Sequence, residues 1–303
     1  ATMYNVLKSA AADFVGDRCT RIAAALAYYT AFSLAPTLMV VIAVCQLVFE
    51  PSDVRGQVEA EIVHAVGTDG AEQIKSMLKT DTARQQQGFL ASATGALVML
   101  MGATGLFAQL QSAMNDVWEV QPDPRRGGVR NFLLKRIMSL GMVLTVSFLI
   151  LVSMTASAAL HVFDSTIEHW LPTPASSLLV QVGEHAVSLG VLCCLFAAMF
   201  KWLPDAEVKW SDVWVGAVAT AMLFVIGKLA VGLYVGSQDL SVTYGAAGSL
   251  VVVLMWVYYS AIIFLFGAEL TQAWAKHRGA GIVPVSGAVR VVTRTDTIVP
   301  GKV

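Results

Sequence analysis

The sequence predicts an all-helical membrane protein that crosses a bilayer six times, with both ends on the cytoplasmic side. Three observations carry this prediction. Hydrophobic residues make up 56% of the chain and charged ones only 14%, with a mean hydropathy of +0.66, far from the composition of soluble domains. Six segments reach the roughly 20 helical residues that a bilayer core requires: about 22–49, 89–113, 137–160, 177–200, 213–235 and 245–273. Lys and Arg then alternate along the chain, fifteen of the twenty on one set of loops and ends and four on the other, and cytoplasmic segments are the ones that accumulate basic residues. Lys228, inside the fifth span, completes the twenty.

Taken in order, the first span joins the Ala-rich IAAALAYYTAFSLAP to TLMVVIAVCQLVF without a charge. It is too long, and too poorly preceded by a short basic stretch, to be a cleaved leader. Ala23, Ala27, Ala31 and Ala35 recur every fourth residue, which places a smooth strip on one helix face where another helix can approach closely. Tyr28, Tyr29 and Ser33 bring hydroxyls to membrane depth, and Pro36 frees a backbone carbonyl one turn earlier. Those groups need partners or water. They suit either a kinked helix lining a polar cavity or a kink healed by neighbouring hydroxyls.

Between spans 1 and 2, Val54, Val58, Ile62 and Val66, then Ile74 and Leu78, repeat at helical spacing around a GTDG turn. Residues 50–88 therefore read as a small outer helical hairpin. Residues 1–278 form a single six-span domain on this reading. From Gly279 to Val303 no period is sustained, and a mobile cytoplasmic tail is expected.

Lys228 sits in VIGKLAV, and a charge at that depth costs at least about 2.5–3.5 kcal/mol on insertion scales. Span 5 runs outward, and Lys228 lies about four residues, or roughly 6 Å, beyond its midpoint. Snorkelling to the interface and contact with an anionic group both answer the cost. Tyr244, just before span 6, joins Lys228, Tyr28, Tyr29, Ser33 and Pro36 as a candidate substrate-binding residue. At the inner face, topology alone brings together Asp17, Arg18 and Arg21 entering span 1, Gln109, Asn115 and Asp116 leaving span 2, and Glu269 leaving span 6. These are either solvated helix-end charges or a gate or headgroup site, and their depth separates Glu269 from Lys228.

Other function classes fare worse. A net charge of −1 gives no basic surface for nucleic acid, and no nucleotide-binding loop is present. His64, His161, His169, His185 and His277 are scattered, and Cys19, Cys45, Cys193 and Cys194 lack metal or redox spacing. No catalytic residue, metal or cofactor is expected. The cysteines read as packing residues.

The segments AAALAYYTAFSLAP (23–36), GLFAQLQSAMNDVWEV (105–120), GKLAVGLYV (227–235), YGAAGSL (244–250) and LMWVYYSAIIFLFGAEL (254–270) resemble the signature segments of the BrkB/YihY family of bacterial inner-membrane proteins. The resemblance runs in order from about residue 10 to 275, and Tyr244, Gly245, Trp256, Gly267, Ala268 and Glu269 carry most of it. It implies a bacterial cytoplasmic membrane location and a six-span helical fold. Members have been called virulence factors, the family's old ribonuclease label is regarded as mistaken, and no catalytic residues carry over. Two functions follow as expectations: a transporter or flippase for an amphipathic, lipid-like anionic solute, or a non-transporting scaffold for envelope integrity acting through the 50–88 hairpin. Membrane lipids are the partners either way, and no oligomer is specified.

Overall fold

The computed structural model describes residues 2–46, 56, 89–123, 137, 139–152, 174–237, 248–279 and 281–291. The outer hairpin, Tyr244 and residues 292–303 lie outside these, apart from Gly56. The described chain is mostly helical: α1 (Thr2–Gly16), α2 (Cys19–Cys45), α3 (Phe89–Val117), α4 (Ser139–Val152), α5 (Pro174–Trp202), α6 (Trp210–Ser237) and α7 (Gly248–His277). Three helical stretches among the described residues are long and apolar enough to cross a membrane, namely His185–Trp202, Trp210–Val231 and Val251–His277. A fourth joins Cys19–Leu34 to Pro36–Cys45 across a 53° bend. The bend falls at the proline, where the ring clashes with the preceding turn.

Helix α7 is the axis of the bundle. It packs against α1, α2 and α6, while α2 also packs on α3 and α5 on α6. Ala23 and Ala27 of the small-residue strip are buried, and Ala27 packs with Val253 and Val257 of α7. Ala31 is half-buried. An aromatic column fills the core between α5, α6 and α7: Phe200 stacks on Phe264 with ring centroids 5.4 Å apart, and Phe196 and Trp256 each meet Phe224 edge-on at 5.8 Å. Such pairs add to the area buried.

The crossing of α6 and α7 is reciprocal. Gly216 of α6 lies under the Thr271 side chain of α7, and Gly267 of α7 lies under the Thr220 side chain of α6. Each threonine turns its hydroxyl back onto the glycine of its own helix, Thr220 Oγ1 to Gly216 O at 2.6 Å and Thr271 Oγ1 to Gly267 O at 2.8 Å. With the hydroxyls satisfied internally, two Gly-x-x-x-Thr faces mesh without a stranded polar group.

One end of the bundle is strapped. Strand β1 (Val120–Pro122), which follows α3, pairs antiparallel with β4 (Ala288–Arg290), and β2 (Ala206–Glu207), between α5 and α6, pairs with β3 (Val283–Pro284). Residues 283–284 and 288–290, within the segment expected to be a mobile tail, are thus in strands. The strands are two or three residues long, too short to show a period, and their hydrogen bonds go to loops more than seventy residues away in sequence. Gly279, Gly281 and Gly287 turn the segment with φ of 73°, 62° and 104°, values that glycine adopts at little cost.

Candidate functional site

The residues singled out by sequence fall in three places: at the strapped end, on α6 beyond its crossing with α7, and on α2 around Pro36. At the strapped end, α1 and α2 are joined by a turn in which Arg18 adopts the left-handed conformation, φ 54° and ψ 40°. That turn directs Cys19 inward, where it is fully buried, and leaves Arg18 and Arg21 exposed. Asp17 is half-buried between them and α7. Its carboxyl lies within hydrogen-bonding reach of that of Glu269, which is 0% exposed. Cys19 Sγ donates to Glu269 Oε1 at 3.5 Å, and no ordinary donor among the described residues reaches Oε2. Burial holds the Asp17 carboxyl above the ordinary carboxylate value, a shift opposed by its hydrogen bond to Glu269 and reinforced by Glu119 and Asp13.

The other members of the expected inner cluster do not converge on this pair. Asn115 instead grips Asp205, donating from Nδ2 to Oδ2 at 2.8 Å and accepting the Asp205 backbone N–H at 2.8 Å. Gln111 Nε2 donates to Asp205 Oδ1 at 3.0 Å, and the Val285 N–H donates to the Asp205 carbonyl at 3.1 Å. Gln109 is half-buried and Asp116 is exposed. Sequence reading did not single out Asp205 or Gln111. The WLPDAE loop between two spans was the signal available, since a Pro-Asp pair there marks a turn. Around this junction, Trp118 Nε1 donates to Ala268 O at 3.1 Å, Lys276 lies 3.7 Å from Asp13, and Arg278 lies 3.4 Å from Asp212, which is 1% exposed.

The second region lies past the helix crossing. Lys228 is half-buried on α6, beside Gly227, whose missing side chain leaves the space taken by the Tyr259 phenol of α7. Around Lys228 the helix exposes Val225, Ile226, Leu229 and Leu233. On α2, Tyr28 and Tyr29 are exposed and meet edge-on, and Tyr28 also contacts Phe32 at 5.0 Å. Ser33 and Pro36 are half-buried. The Ser33 carbonyl accepts Thr37 Oγ1 at 2.7 Å, so a neighbouring hydroxyl covers part of the kink, and Gly102 of α3 makes room for the Pro36 ring. Among the described residues no group of three or more His, Cys, Asp or Glu is arranged to hold a metal ion.

Comparison with known proteins points to membrane proteins. A family profile described as virulence factor BrkB matches residues 10–288. A UPF0761 membrane protein of Pseudomonas aeruginosa is 27% identical over 286 residues, covering 92% of this chain and 66% of the relative. One from Alteromonas mediterranea is 28% identical over 291 residues, covering 89% and 90%, and one from Verminephrobacter eiseniae is 27% identical over 268 residues, covering 85% and 59%. The chain thus spans slightly less than two thirds of the length of the Pseudomonas relatives. No solved structure matches.

Proposed function

The chain belongs to the virulence factor BrkB family of membrane proteins, and from that premise we propose that it is a transporter or flippase for an amphipathic, lipid-like anionic solute in the bacterial cytoplasmic membrane. One observation carries the reading. Lys228 offers a cation and Tyr259 a phenol beside a helix surface that is otherwise bare apolar side chains, Val225, Ile226, Leu229 and Leu233. An anionic headgroup suits the first and acyl chains suit the second.

The topology that goes with this reading has six spans and both ends in the cytoplasm, supported by the alternation of basic residues. Transport needs no catalytic residue or cofactor from this chain, and none is assigned. The test is movement of NBD-labelled phosphatidylglycerol between leaflets of proteoliposomes, read by dithionite quenching. Lys228→Ala should abolish the movement while the purified protein keeps its thermal unfolding midpoint. Unchanged movement would remove Lys228 from the mechanism.

A further inference from the structure

We propose that Asp17 and Glu269 form a proton-binding carboxyl pair at the strapped end, and that the proton held there gates the solute movement assigned above. The coupling rests on the transporter reading, whereas the proton itself does not. Glu269 is completely buried, one of its oxygens has only a thiol as donor, and the other has no ordinary donor at all. An ionised carboxylate so placed would carry a large desolvation penalty without compensation. The group within reach of it is a second carboxyl, that of Asp17. Two neighbouring carboxyls cannot both stay ionised in a buried site without a large cost, which one proton removes.

The surroundings fit a proton in preference to a metal or an ion pair. From α1 the pair faces Asp13, from α2 Cys19, from the residues after α3 Glu119, and from α7 Lys276. Lys276 lies 3.7 Å from Asp13, and its effect on Asp17 is the weakest of those acting there. Arg18 and Arg21 are exposed, Arg278 is paired with Asp212, and Asp116 is exposed. No metal-holding group exists among the described residues.

The half-buried Asp17 gives the pair a route to water, while Glu269 sits inside. A proton arriving from water on Asp17 passes to Glu269, so that Glu269 O–H donates to the Asp17 carboxylate. Its departure to water by the same route leaves two adjacent carboxylates, which must separate. Glu269 is two residues from Gly267, where α7 meshes with α6, and α6 carries Lys228. Separation of the pair therefore acts directly on the helix contact that positions the solute-binding cation.

The full chain in lipid nanodiscs, studied by infrared difference spectroscopy in H2O and D2O across neutral pH, tests the proton directly. Wild type should show the C=O band of a protonated buried carboxyl. Glu269→Gln should lose it. Cys19→Ser, which replaces a weak donor by a strong one, should shift the band without removing it, and this keeps the test decisive if Glu269→Gln does not fold. Absence of the band from wild type, or an unaltered band in both variants, would overturn the proposal. In proteoliposomes, NBD-phosphatidylglycerol movement should change with the pH on the side of the strapped end in wild type and not in Asp17→Asn. A band with pH-independent movement would overturn the coupling, and a band with no movement at all would overturn the transporter reading alone.

Discussion

The two halves of helix α6 are built on opposite terms. At its start, Asp212 is 1% exposed and paired with Arg278, and Gly216 and Thr220 are locked into α7. Beyond the crossing, Ile226, Leu229 and Leu233 are 63%, 64% and 77% exposed, and the cation Lys228 stands among them. The first half defines one arrangement of two helices, since glycine under threonine leaves no alternative fit. The second half packs through Phe224 and Gly227 on one face and keeps the other face available. A helix packed where it meets its neighbours and exposed beyond the crossing fits the transport proposed above.

The comparison can be broken most severely at the crossing. Gly216→Leu should prevent folding, because its side chain would have to occupy the space of Thr271. The smaller Gly267→Ala should lower stability by about 1–3 kcal/mol, with Thr220→Ala restoring much of the loss in a double-mutant cycle followed by thermal melting in detergent. Next comes the Asp205 junction. Asp205→Ala leaves the side-chain donors of Asn115 and Gln111 unpaired and should cost about 1–3 kcal/mol, read as increased protease cleavage in the 203–209 loop.

Asp17 gives a smaller, pH-dependent effect. Its folded-state value lies above the ordinary 3.8, so the native state holds the proton more tightly than the unfolded chain. Its contribution is complete below 3.8 and is lost as pH rises through the elevated value. Melting midpoints of wild type should fall relative to Asp17→Asn as pH is raised from 4 toward neutrality. Smallest of all is the effect of Lys228→Leu on stability, within about 0.5 kcal/mol, although movement of labelled lipid should stop. If that substitution instead destabilised the protein as strongly as Gly267→Ala, the division of α6 into a packed half and an open half would fail.

Much of the fold was legible in the sequence because hydropathy and small-residue spacing are local signals. Ala23 and Ala27 of the small-residue strip are buried, Ala27 against α7, and the bend comes at Pro36. The candidate site was legible in depth but not in direction. Alternating topology brought Asp17, Asn115 and Glu269 to one level, and the structure indeed gathers α1, α3 and α7 at one end. Whether Asn115 turns toward Glu269 or toward Asp205 depends on helix rotation within the bundle, which no periodicity of a helix buried on several sides can report. The strap escaped for another reason: its pairs of two and three residues draw their stability from distant loops, so nothing in their own composition distinguishes them from irregular chain.

That strap also sets an order of events. Val120 pairs with Arg290, and Ala206 with Pro284, so the loops after α3 and α5 cannot be tied until nearly all of the described chain has left the ribosome. Helices can enter the bilayer one after another as they are made, but closure of this face must wait for residue 291, which makes it a late checkpoint on complete insertion.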